Sequence, residues 1–170
     1  PSLADRKDYQ LLAAELEKTA AVTAFFSADV LSITEFTERV NEHSTGQTES
    51  AFEEAIKNEP LLKPFTSFVT GAGEDEDGRF TVIILLNPDE SIAEDNVSLL
   101  EARINESEMY PHIANWRNKT WKDDGAIESM EITSKGRLTI AKLYSEVISS
   151  WKYFHYYSTQ GPYSPLLLHE

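Results

Sequence analysis

No cysteine occurs anywhere in the 170 residues. Disulfides, thiolate metal centres and cysteine nucleophiles are therefore excluded, and no redox compartment is favoured. Positive charge is also scarce: 15 Lys and Arg stand against 29 Asp and Glu, giving a net charge of −14. Nucleic-acid binding relies on Lys and Arg to neutralise phosphates, and no Lys/Arg-rich segment offsets the deficit. Anionic membrane surfaces are disfavoured on the same ground, whereas a basic protein partner is compatible. Nothing approaches the roughly 18 apolar residues of a membrane-crossing helix, and no basic-flanked apolar leader opens the chain. The expectation is a soluble, cytoplasmic protein.

Catalytic signatures are missing as well. There is no G-x-S-x-G elbow, no H-E-x-x-H pair, no Walker loop and no dinucleotide-binding glycine pattern. Gly71-Ala72-Gly73 is at most a fragment of the last, and the acidic run Glu74–Asp77 behind it would repel a pyrophosphate. That run lacks the ligand spacing of a calcium loop, so it reads as a solvated hairpin tip. The four histidines, His43, His112, His155 and His169, never pair at i, i+3 or i, i+4, the spacings that set two ligands on one helical face. Neither a metal nor a cofactor is expected.

What is present begins with Arg79–Asn87. Phe80 to Leu86 is apolar except for Thr81 and rich in β-branched residues, which suits a central strand covered on both faces. Phe65–Val69 has strand composition, Gly71–Gly78 reads as a long acidic loop, and together these predict a first hairpin. Ala126–Thr133 and Arg137–Tyr144 alternate in polarity around Ser134-Lys135-Gly136, predicting a second hairpin. A single helix from Leu138 to Tyr157 is the rival, and the glycine turn decides for a strand followed by a helix.

The first third reads as helical. Tyr9, Leu12, Leu16 and Ala20 share a stripe in a helix closed by Phe25 and Phe26. Ser32-x-x-Glu35 is a capping box opening a second helix that stops near His43. A third helix covers about 49–58. Ser91-x-x-Glu94 predicts another helix start, with Val97, Leu100 and Ile104 on one face. Shorter helices are expected over Pro111–Trp121 and Glu146–Tyr157, and the tail from Tyr163 to Glu170 shows no periodicity. The sum is one α+β domain spanning residues 1–170. Its antiparallel sheet is built from two hairpins and covered by five to six helices.

Aromatic residues cluster late in the chain. All three Trp residues (Trp116, Trp121, Trp151) and six of seven Tyr residues (Tyr110, Tyr144, Tyr153, Tyr156, Tyr157, Tyr163) lie between 110 and 163. Such rings join an apolar body to a polar tip and suit half-dry surfaces, although they serve equally as the core of that half. Trp116, Trp121, Tyr153, Tyr156, Tyr157 and Tyr163 are the candidate contacts of a non-catalytic, acidic protein-interaction domain of adaptor or regulatory type. The alternative is a small-molecule pocket or an enzyme using His112 or His155 as its acid or base.

Overall fold

The computed structural model describes residues 5–28, 30, 32–43, 59–107, 120–124, 126–145 and 165–170. Five strands form one antiparallel sheet: β1 (Ala21–Ser27), β2 (Ser67–Asp75), β3 (Gly78–Leu86), β4 (Ser129–Lys135) and β5 (Leu138–Tyr144). Their spatial order is β1-β2-β3-β5-β4. The apolar run is the middle strand, as its composition predicts. β3 pairs with β2 on one side and β5 on the other, and every residue from Phe80 to Leu86 is buried.

Alternation along the strands divides the core in two. On one face Phe68, Ile83, Leu85, Ala141 and Leu143 meet Leu100 and Ile104 of the long helix α3 (Glu90–Glu106), with Trp121 of α4 (Trp121–Asp124) beside them. On the other face Val69, Phe80, Val82, Ile84 and Leu86 meet Leu12 and Leu16 of α1 (Lys7–Leu16). Each such large side chain, fully withdrawn from water, contributes at most about 1.5–3 kcal/mol.

The α+β class and the antiparallel sheet are as expected, but three parts of the reading are corrected. The described residues hold four α-helices rather than five or six: α1, α2 (Ile33–His43), α3 and α4. The helices expected over 49–58 and 146–157 lie outside the described residues, as does all of 111–121 except Thr120 and Trp121. Second, the opening third is not continuously helical. α1 stops at Leu16, where the Thr19 hydroxyl donates to the Leu16 carbonyl (2.8 Å) and accepts from the Ala21 amide (3.2 Å). Val22, Thr23, Phe25 and Phe26 then enter a strand, where β-branched and aromatic side chains fit better than on a helix.

Third, Gly71-Ala72-Gly73 is strand, not loop. β2 runs on to Asp75 and only Glu76 and Asp77 form the turn. The glycines serve close approach. A Cβ on Gly73 would stand 2.2 Å from the Ala20 carbonyl oxygen, and one on Gly71 would stand 2.6 Å from that of Thr23. β1 is bulged here, its register slipping between Ala21 and Thr23.

Helix starts follow local chemistry. In α2 the Ser32 amide and hydroxyl both donate to Glu35 (3.0 and 2.9 Å), and the Glu35 amide donates back to the Ser32 hydroxyl (3.3 Å), completing the predicted capping box. α3 starts earlier than Ser91 suggests. Asp89 is its cap, accepting from the Ile92 amide at 2.9 Å. The second hairpin forms, but its turn is Gly136 and Arg137 rather than Ser134-Lys135-Gly136: Ser134 and Lys135 are the last residues of β4, and Gly136 lies at φ +53°.

Candidate functional site

Four buried polar side chains, Asn87, Asn96, Arg103 and Thr139, hold backbone together. Asn96 of α3 exchanges hydrogen bonds with the Lys63 backbone (2.7 and 3.1 Å) and donates to Asn87 Oδ1 at 2.8 Å. Asn87 Nδ2 donates to the Thr139 hydroxyl and the Arg137 carbonyl, each at 3.0 Å, and Thr139 in turn donates to the Ala93 carbonyl at 2.9 Å. This network welds the end of β3 to α3 and β5. Arg103, only 3% exposed, donates to the carbonyls of Leu166 and Pro60, both at 2.8 Å. Burial pushes its guanidinium down to about 10, against the pull of the Glu59 charge, so it stays cationic at neutral pH.

That clamp fixes the chain's last residues. Leu166, Leu167 and Leu168 are buried. The Leu62 amide donates to the Leu168 carbonyl (3.1 Å), the Ile33 amide to that of His169 (2.9 Å), and the Glu170 amide to that of Leu62 (3.0 Å). His169 therefore sits in backbone pairing between Ser32 and Leu62, its ring edge-on to Phe65 with centroids 5.6 Å apart.

Among the aromatic candidates, Trp121 alone is described. It is 1% exposed and belongs to the core beside α3. Trp116, Tyr153, Tyr156, Tyr157 and Tyr163, together with His112 and His155, lie outside the described residues. Trp121 opens α4 behind Thr120, whose hydroxyl accepts from the Asp123 amide at 3.1 Å.

At the first hairpin tip Glu74, Glu76 and Asp77 are exposed, as a solvated tip requires, while Asp75 is engaged. The Asp75 carboxylate accepts from Lys142 and, at 3.2 Å, from the Tyr144 hydroxyl. The hydrogen bond from Lys142 holds Asp75 below the usual carboxylate value. The Lys142 ammonium also lies 4.1 Å from the Phe80 ring centre, a cation–π contact. Beside this tip is an open cleft of about 320 Å³, lined among others by Glu74, Asp77, Arg79, Glu128, Tyr144 and Ser145. Arg79 stands 3.5 Å from Glu74, so two carboxylates remain to attract a cation. Among the described residues no histidine lines the cleft, and no three His, Cys, Asp or Glu side chains converge to hold a metal.

The outer edge of β1 is the feature that the sequence reading missed. Val22, Thr23, Ala24 and Phe25 are all exposed, Val22 at 83% and Phe25 at 41%. One side of the strand pairs with β2, and among the described residues no strand lies on the other. From Ala21 to Ser27 there is no charged residue and no proline. Edge strands are usually blunted by such residues, as β4 is by Glu131 and Lys135 at the opposite edge.

No family model, curated protein or solved structure matches this chain. The functional reading therefore rests on its own geometry. The run from Val22 to Phe26 directly follows the helical stripe, so from sequence alone it reads as the end of the first helix.

Proposed function

We propose that this chain is a non-catalytic, acidic protein-interaction domain whose partner carries positive charge. One observation carries the reading: the described structure leaves large apolar side chains exposed along a sheet edge, while the buried side chains with the most hydrogen bonds are engaged in holding backbone. Val22 and Phe25 stand out from β1, whereas Asn87, Asn96, Arg103 and Thr139 are tied into the fold. Apolar surface at an edge that ordinarily carries charge is characteristic of a contact surface. The net charge of −14 favours a cationic partner and speeds its encounter.

The late aromatics, Trp116, Tyr153, Tyr156, Tyr157 and Tyr163, remain candidate contacts on the strength of their composition. Trp121 is not among them, because its ring is enclosed by the core. The test is affinity capture on the immobilised chain followed by mass spectrometry, at low and at high salt. A basic protein retained at low salt and released at high salt is the expected result. Replacing Tyr153 and Tyr156 by Ala should abolish retention with the thermal midpoint moved by only a few degrees. A collapsed midpoint would assign those two rings to the core, and a wild-type chain that retains nothing at low salt would overturn the reading.

A further inference from the structure

We infer that the outer edge of β1 from Val22 to Phe25 is the docking line, and that it takes an extended, lysine- or arginine-bearing segment of the partner as a sixth strand. The inference rests on the interaction reading above and specifies where and how contact is made. Strand addition needs unpaired backbone donors and acceptors along an accessible edge, with no charge or proline to repel a newcomer. From Val22 to Phe25, β1 meets the conditions of access and neutrality. Its side chains from Val22 to Phe25 are exposed, Ala21–Ser27 is uncharged, and its only strand neighbour is β2 among the described residues.

The edge is also held firmly in place, which lowers the ordering cost of binding. Gly71 and Gly73 let the β1 backbone press against β2, and the Thr23 hydroxyl accepts from the Ala72 amide at 3.1 Å. Phe25 rests against Phe68 with ring centres 6.4 Å apart, and Phe26 against Tyr9 at 5.5 Å. The strand is therefore anchored by its own aromatic residues while, among the described residues, no strand pairs with its outer side.

Charge selects the occupant. A second copy docked edge to edge would set −14 against −14 across a neutral strand, whereas a cationic segment is drawn in by the same field. Main-chain pairing would supply affinity. Alternate side chains of the newcomer would fall beside Phe25 on one face of the sheet and Ala24 on the other.

The experiment uses a fluorescent synthetic peptide of alternating valine and threonine with two lysines at each end. Its controls carry glutamates in place of the lysines, or prolines at alternate positions to remove backbone donors. Anisotropy reads binding, and amide hydrogen exchange reads the contact line on the full chain. The lysine peptide should bind in a salt-sensitive manner and slow exchange within Ala21–Phe26, while both controls bind about ten-fold or more weakly. V22K/A24K changes two exposed positions, so it should keep the melting point and weaken the lysine peptide about ten-fold or more.

Peptide binding without protection in β1 overturns the strand assignment, and so does undiminished binding to folded V22K/A24K. Should the wild-type chain still capture a basic protein in that case, only the docking line falls. Absence of both peptide binding and protein capture removes the interaction reading too. Concentration-dependent dimers that protect the same amides would replace the partner segment by a second copy.

Discussion

Arg103 and Thr81 occupy equally dry positions with opposite consequences. A buried polar group is tolerable in proportion to the partners it finds, because desolvation is incurred in either case. Arg103 finds two carbonyls, those of Pro60 and Leu166, and so joins α3 to two segments distant in sequence. Arg103→Met should remove that join and leave both carbonyls short of a donor. The expected loss is about 2–4 kcal/mol in urea unfolding. Arg103→Lys should rescue it poorly, since an ammonium cannot reproduce the planar fork. The Thr81 hydroxyl is buried and has no hydrogen-bond partner among the described residues. Thr81→Val keeps the shape and the strand preference while deleting the stranded oxygen, so it should stabilise by about 1 kcal/mol. A destabilised T81V protein would mean that the hydroxyl is engaged after all, and an R103M protein of unchanged stability would mean that the clamp is ornamental.

At the scale of elements, what was legible in the sequence was whatever neighbouring residues decide among themselves. The capping box of α2 closes within four residues, so Ser32 and Glu35 marked it correctly. β3 was legible because a strand covered on both faces needs an unbroken apolar run; the second hairpin was legible from the left-handed Gly136, but its turn lies at Gly136 and Arg137, later than the expected Ser134–Gly136 connector. The start of α3 was misread by two residues, since Asp89 caps as well as Ser91 and follows Pro88 directly. β1 was illegible for a non-local reason. Its strand state depends on pairing Phe25 with Thr70 and Phe26 with Val69, partners more than forty residues away. The candidate site suffered in the same way: composition located Trp121 in an aromatic-rich stretch but could not say that its ring is enclosed.

The packing of β1 yields a sharper expectation at this scale. Gly73→Ala would thrust a methyl onto the Ala20 backbone and against the Phe80 ring, at 2.2 and 2.8 Å. Backbone on one side leaves little room to relax, so the variant should lose about 1–3 kcal/mol. The loss should appear first as faster amide exchange in β1, with β3 and β5 still protected, because the edge strand can detach while the centre of the sheet holds. Uniform acceleration across all five strands would instead show that β1 is cooperative with the centre.

For the molecule as a whole, charge sets the response to acid. At neutral pH the net charge of −14 strains the folded state by self-repulsion, and the strain eases as carboxylates protonate. Set against this, Asp75 has a folded-state pKa below its ordinary value of 3.8, chiefly through its hydrogen bond from Lys142. A carboxylate so lowered contributes stability that is complete above its unfolded value and is lost as pH falls through 3.8 and on through the folded value. Asp8, lowered first by its hydrogen bond from Arg6, acts in the same direction near the start of α1. The thermal midpoint should therefore rise modestly from pH 7 toward about pH 5, then fall steeply below about pH 4. Added salt should raise the midpoint at pH 7 by screening the repulsion. Asp75→Asn should lower the midpoint at pH 7 and flatten the fall below about pH 4, because the amide has no proton to gain. Scanning calorimetry of both proteins from about pH 2 to pH 7 makes the comparison. Parallel curves would show that the Asp75–Lys142 pair adds nothing to the folded state, and the acid response would then belong to the carboxylates elsewhere.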